Sequence, residues 1–233
     1  MVTDPFDRAR ASLSDPSELI DQLAHPFVDF LPITGAAVST LGPLLGSETL
    51  SASDDRAMRV DELQFDLGEG PCWDALAQHR PILEPDLARS PNRRWPAFSD
   101  AVQAEKIGAL FAFPLLLGPL EIGAIDLYAA NPTSLSDQEE RQIVFLTEIV
   151  SRVVLRRALE SIDMPAETNA HSRRQIHQAT GMVLAQLDIS AEDAQLLIQG
   201  RAFAEGRTMQ AVSADIVERR LRFGRERTGI EDH

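Results

Sequence analysis

Cysteine, tyrosine and lysine occur once each in this 233-residue chain, as Cys72, Tyr128 and Lys106. A single cysteine has no partner for an internal disulfide and no companions for a sulfur-based zinc cluster, so neither can organise the fold. That scarcity fits a reducing compartment. No stretch approaches the roughly 18 uninterrupted apolar residues of a membrane span. The start, Met1-Val2-Thr3-Asp4-Pro5, also lacks the basic and apolar segments of a secretory signal. A cytoplasmic location without membrane contact is expected. His25, His79, His171, His177 and His233 are scattered, with no His-Glu-x-x-His spacing. Gly68-Glu69-Gly70-Pro71 lacks the Lys-Ser/Thr of a phosphate loop, and no Gly-x-Ser-x-Gly elbow presents a nucleophile. These absences predict no enzymatic activity, no metal and no cofactor.

Acid is plentiful instead. The formal net charge is -14, which opposes nucleic-acid binding, because affinity for phosphate comes from cations that displace counterions. The charge is unevenly spread, however. Residues 1–163 hold 13 basic and 26 acidic side chains, whereas residues 164–233 hold 9 and 10, so the C-terminal part is nearly neutral. Arg173-Arg174 opens that part, and Arg219, Arg220, Arg222, Arg225 and Arg227 crowd its end. With 44% hydrophobic residues, the chain has material for one ordinary core and a smaller second unit.

Asp15-Pro16-Ser17-Glu18 reads as a helix start, with Leu19, Ile20, Leu23 and Phe27 following at helical spacing. Ile33 to Leu41 predicts a strand closed by Gly42-Pro43, and residues 54–65 a polar helix. A glycine-rich bend leads to a short helix that Pro71 begins, and Arg80 to Glu84 predicts another strand. Ile107 to Leu117 and Leu120 to Tyr128 flank Gly118-Pro119 as a β-hairpin, with Pro114 favouring an edge or bulge. Ser136-Asp137-Gln138-Glu139 is a capping box for a long helix. Its seam of Ile143, Leu146, Val150 and Val153 suits packing within its own domain or dimerisation.

Ser172-Arg173-Arg174-Gln175 is a second capping box, before a face of Ile176, Ala179, Val183 and Leu187. Ser190 starts another helix, with Ala194, Leu197, Ile198 and Ala202 in phase and Gly206 at its end. Thr208 caps a third, whose inward stripe is Met209, Val212, Ile216 and Val217. The expected domains are 1–163, a linker at 164–170, a three-helix unit at 171–225 and a flexible tail at 226–233.

Gly68-Glu69-Gly70-Pro71, Arg80-Pro81-Ile82 with Asp86-Leu87, Phe113-Pro114-Leu115 and Ile122-Gly123-Ala124-Ile125-Asp126-Leu127-Tyr128 together resemble a GAF domain, over roughly residues 17–160. The resemblance implies an α+β fold, a GAF/PAS-like antiparallel sheet with flanking helices. It also implies a small-molecule pocket, for which Trp73, Phe111, Phe113 and Tyr128 are the candidates, although the same side chains equally suit a core. Some GAF domains attach bilin through cysteine, but Cys72-Trp73 is not the Cys-His pair common there, and a buried structural thiol is the expectation.

Arg174-x-Ile176-x-Gln178-Ala179-Thr180-Gly181-Met182-Val183, then Ile189-Ser190-x-Glu192-Asp193-Ala194 and Met209-x-x-Val212, resemble an ANTAR domain across 170–223. That family implies a dimeric antiterminator binding paired stem-loops in nascent RNA. Arg173, Arg174, Gln178, Thr180, Arg201 and Arg207 are the candidate RNA contacts. Two positions depart from the family: Thr180 stands where lysine is common, and Gln195 where an aromatic is. A protein-interaction or dimerisation module without RNA binding, and a DNA-binding regulator, are the alternatives.

Overall fold

The computed structural model describes residues 4–15, 20–41, 45–89, 94–161, 174–226 and 229–232. The chain divides into two compact units, Met1–His171 and Ser172–His233.

The first unit is built on a five-stranded antiparallel sheet. Its strands are β1 (Gly35–Thr40), β2 (Glu48–Ala52), β3 (Ile82–Glu84), β4 (Ala109–Leu117) and β5 (Leu120–Ala129), in the order β2-β1-β5-β4-β3. The helices are α1 (Pro5–Ser14), α2 (His25–Val28), α3 (Asp55–Leu67), α4 (Pro71–Gln78), α5 (Pro96–Val102) and α6 (Asp137–Ser161). The β4–β5 hairpin is where the apolar runs and Gly118-Pro119 place it. Pro114 sits opposite Ala124 of β5 but beyond the residues that β3 pairs with, so its missing N–H leaves no bond unmade on that side.

Strand periodicity sorts the side chains onto two faces. Ala109, Phe111, Phe113 and Leu115 of β4 and Ile125 and Leu127 of β5 join Ala9, Leu13, Phe27, Ile143, Leu146 and Val150 in one core. Leu110, Ala112, Ala124 and Tyr128 join Ala57, Val60, Cys72, Ala75 and Phe98 in a second. The sheet is thus sandwiched, with α1, α2 and α6 over one face and α3, α4 and α5 over the other. Full burial of Phe113 alone contributes on the order of 2 kcal/mol. The seam on α6 is spent within its own unit, since Ile143, Leu146 and Val150 are completely buried. The capping box at its start is formed: Ser136 N donates to Glu139 Oε2 at 2.7 Å, and Glu139 N to Ser136 Oγ at 3.3 Å.

Some expectations are corrected. Asp15 does not begin a helix; it ends α1, a helix the sequence reading missed. The same Asp-Pro signal stands eleven residues earlier, where Asp4 Oδ1 accepts from Phe6 N and Pro5 takes the first helical position. Residues 16–19 lie outside the described set; from Ile20 the chain makes a single 3-10 turn and then the short α2. Strand β2, alternating with polar side chains, and helix α5 were also unforeseen.

The second unit packs α7 (Arg174–Leu187), α8 (Ala191–Glu205) and α9 (Met209–Val217) as a three-helix bundle. Ser190 Oγ accepts from Asp193 N at 3.0 Å and Thr208 Oγ1 from Ala211 N at 3.1 Å, so both expected caps operate. Gly206 closes α8 at φ 63° and ψ 33°. Ile176, Ala179, Val183, Leu187, Ala194, Ile198, Ala202, Met209, Val212 and Ile216 form its core. The tail expected beyond residue 225 is instead partly paired: β6 (Phe223–Glu226) and β7 (Gly229–Asp232) make an antiparallel ribbon. Buried Phe223 holds its first strand, with its N–H donating to Gln186 Oε1 of α7 at 3.4 Å. The expected linker, 164–170, lies outside the described residues.

Candidate functional site

A buried polar cluster occupies the sheet face beneath α3 and α4. Residues 61 and 64 are one helical turn apart, so both side chains of α3 reach the sheet. Asp61 accepts from Ser39 Oγ of β1 at 2.5 Å and from the hydroxyl of Thr49 on β2. Gln64 donates through Nε2 to Asp126 Oδ2 of β5 at 2.7 Å, and its Oε1 accepts from Cys72 N at 2.8 Å. The Trp73 indole donates to the Gln64 carbonyl oxygen, also at 2.8 Å. The glutamine therefore ties α3, α4 and β5 together.

Asp126 is the exceptional member. It lies opposite Ala37 of β1 and Ala112 of β4, so methyl groups flank it on both sides. Among the described residues its Oδ1 finds no hydrogen-bond partner. Burial, reinforced by the negative charge of Asp61, holds its carboxyl well above the usual carboxylate range, against the opposing effect of the Gln64 amide. The neutral, protonated form of this buried carboxyl is thus favoured.

Along β5, Tyr128 donates to Asp54 Oδ1 at 3.0 Å, and the same oxygen caps α3 by accepting from Arg56 N and Ala57 N. Burial first, then the bond to Asp54 and its charge, push the phenol up to about 12, with Arg56 opposing.

The four aromatic pocket candidates do not meet. Phe111 and Phe113 point into the core beneath α6, whereas Trp73 and Tyr128 belong to the core beneath α3 and α4. Their odd and even strand positions explain the division: residues 111 and 113 alternate with 110 and 112, which share the face of Tyr128. The sequence reading missed Ser39, Thr49, Asp61, Gln64 and Asp126. One signal was legible, a carboxylate in the middle of the apolar run 122–128. Cys72 is 1% exposed, and the reading of it as a buried thiol agrees.

In the C-terminal unit, Gln178 is exposed on α7, while half-buried Thr180 donates its hydroxyl to the Ile176 carbonyl at 2.8 Å. Two residues apart, they face opposite sides of the helix. Arg201 pairs with Glu205 at 2.6 Å; Arg207 bridges Glu205 at 2.9 Å and Asp215 at 2.6 Å; Arg220 adds a second contact to Asp215. These hydrogen bonds from Arg207 and then Arg220 lower the Asp215 pKa. Arg201 and Arg207 thus have their charges matched by carboxylates. Arg219 and Arg222 are exposed and make no ion pair among the described residues. Arg173 lies outside the described residues, and Arg174 is placed only as the first residue of α7.

Among the described residues no three His, Cys, Asp or Glu side chains are grouped to hold a metal, and no helix is long and apolar enough to cross a membrane. An antiparallel sheet between helical layers, followed by a helical bundle, defines an α+β fold of GAF type. A GAF-domain family model matches residues 14–155; the chain belongs to the GAF family. In structure it resembles the GAF domain of a phosphoenolpyruvate-protein phosphotransferase from Acinetobacter, with a TM-score of 0.52 at 11% identity, covering 72% of this chain and 100% of that one. The corresponding domain from Coxiella burnetii gives 0.52 at 12% identity, with coverages of 68% and 95%. At these identities the likeness concerns fold alone. No curated protein matches the chain in sequence.

Proposed function

We propose that the chain is a cytoplasmic, signal-responsive transcription regulator, in which the GAF domain senses a small molecule and a dimeric ANTAR-type C-terminal unit binds paired RNA hairpins as an antiterminator. The observation that carries this reading is the fit of the ANTAR-like pattern to the bundle: its Ile176, Ala179, Val183, Ala194, Met209 and Val212 are all core residues, and the residues between them are left for contact. The domain boundaries expected from sequence, with output beginning near 171, belong to the same proposal. Arg219 and Arg222 join Arg173 and Arg174 as the cations for phosphate. Asp126, whose buried Oδ1 has no hydrogen-bond partner among the described residues, is the group that would meet a polar group of the ligand. Coupling requires that ligand and RNA each favour a different state of the protein.

A second reading, a protein-interaction module without RNA binding, is favoured by the ion pairs that already occupy Arg201 and Arg207. Gel shifts across a salt series, using transcripts with paired hairpins and duplex DNA as control, separate the two. Saturable hairpin binding that weakens in the Arg173→Ala/Arg174→Ala variant is expected. Absence of saturable binding at moderate salt establishes the second reading, and equal affinity for duplex DNA would make this a DNA-binding regulator.

A further inference from the structure

Helix α6 gives one face to the core and leaves a second, mixed face beside the end of β4. Val150, Val153 and Val154 are buried against the sheet, whereas Arg152, Leu155, Arg156, Leu159 and Glu160 recur at steps of three and four on an adjoining face. Together with Leu117, the last residue of β4, they line a groove of about 460 Å³, a size typical of small-molecule sites. Its floor is apolar. Leu117 and Leu155 are half-buried and pack on the domain core, and Leu159, 58% exposed, extends them toward solvent. The charges along it are unequally committed. Glu160 meets Arg157, outside the groove, at 3.9 Å. Arg152 touches Glu148 at 3.4 Å with both side chains more than half exposed, and such a pair holds its partners only weakly. Arg156 is exposed and makes no ion pair among the described residues.

We infer that this groove binds a small anionic amphiphile, a carboxylate on a saturated hydrocarbon tail. The tail lies along Leu117, Leu155 and Leu159, and the carboxylate meets the guanidinium of Arg156, with Arg152 one helical turn away as a second cation. Charge complementarity fixes the sign of the occupant: the unmatched group at the edge of the apolar floor is a cation. Size fixes its class. Six side chains bound the groove, far short of the roughly 20–30 residues a side of a stable protein interface. A nucleic acid gathers its affinity over many phosphates, which the acidity of residues 1–163 opposes, whereas a single carboxylate needs one guanidinium. The groove is on the α6 side of the sheet, opposite the Asp126 cluster beneath α3 and α4, and is independent of the RNA reading.

Titration calorimetry on the full chain, with decanoate below its micellar concentration, tests the site. Saturable binding is expected, tightening severalfold from octanoate to decanoate as methylenes are added, with decyltrimethylammonium bound far more weakly. Arg156→Gln should weaken decanoate roughly tenfold, through loss of a charged hydrogen-bonding partner, and leave decanol unchanged. Leu159→Asp should abolish binding of both. The two replaced side chains are exposed, so the far-ultraviolet circular dichroism of each variant should match the wild type. No saturable binding, equal affinity for the anionic and cationic amphiphiles, or either variant binding decanoate as the wild type does overturns the proposal. So does Arg156-dependent flotation with phosphatidylglycerol vesicles by a protein that does not bind free decanoate, which would assign this face to a membrane surface.

Discussion

Gln64 and Asp126, 62 positions apart in the chain, meet in a buried 2.7 Å hydrogen bond that joins α3 to the strand at the centre of the sheet. The same glutamine accepts the Cys72 amide at the start of α4, so one side chain satisfies two buried partners on two other elements. Gln64→Ala should therefore destabilise the protein by about 3 kcal/mol or more, since each orphaned buried group costs about 1–3 kcal/mol. Gln64→Met, which restores volume but not bonding, should recover only a minor part. Chemical denaturation of the three chains checks both statements.

Asp126 gives the protein an unusual pH dependence. Its folded pKa is raised, so the folded state holds a proton that the unfolded chain releases. The associated stability is complete below the unfolded carboxylate value, near 4, and is lost as pH rises through the folded value. Asp126→Asn keeps the shape and removes the titration. The variant should be more resistant to urea than the wild type at neutral pH, with the difference shrinking as pH falls toward 4. A constant difference across that range would contradict the assignment.

Tyr128 is the chain's one tyrosine, so phenolate absorbance reports it alone. Its titration should centre at about 12 rather than at the ordinary value near 10. The sign is the same as for Asp126: the tyrosine's contribution is intact below pH 10 or so and disappears as pH climbs through the folded value. Asp54→Asn removes a charge and weakens the bond, and should move the midpoint downward.

Asp215 holds both Arg207 and Arg220. Asp215→Asn removes one of the carboxylates facing these cations, leaving Glu205 against Arg207 and Glu218 against Arg220, and on the RNA reading hairpin affinity at low salt should rise, with the salt slope steepening by about 1. Its folded pKa is lowered, so the stability this carboxylate contributes is present above its unfolded value and is lost as pH falls through the folded one. Gel shifts at two salt concentrations and an acid titration of the unfolding midpoint test the two effects independently.

Local signals carried much of the architecture. Ser136 with Glu139, Ser190, Thr208 and Gly206 each act on their own few backbone groups, and such contacts depend only on neighbours in sequence. The β4–β5 hairpin was legible for the same reason. Helix α1 was missed although Asp4-Pro5 carried the same signal as Asp15-Pro16, and β2 because its alternate residues are Thr49 and Ser51, whose hydroxyls find partners only in space. Ser51 Oγ donates to the Asp21 carbonyl and accepts from Ala24 N. The four aromatic candidates are divided between two cores for a related reason. Residue type identified Phe111, Phe113, Trp73 and Tyr128 as large and apolar, but strand parity divides them between two faces, and only the stacking of α6 and α3 on those faces shows that they never meet.

By itself the sequence determined the starts of α6, α8 and α9, the glycine that ends α8, the β4–β5 hairpin, and that an acidic part precedes a nearly neutral helical one. These follow from short-range bonding, periodicity and charge counts. Tertiary structure alone decided that Asp126 is buried between two alanines with only one oxygen hydrogen-bonded, that Arg201 and Arg207 are matched by carboxylates, and that Leu196 and Phe203 of α8 are left exposed. Burial and pairing depend on residues brought together from distant positions, and a side chain's charge, proton and availability are set by those neighbours.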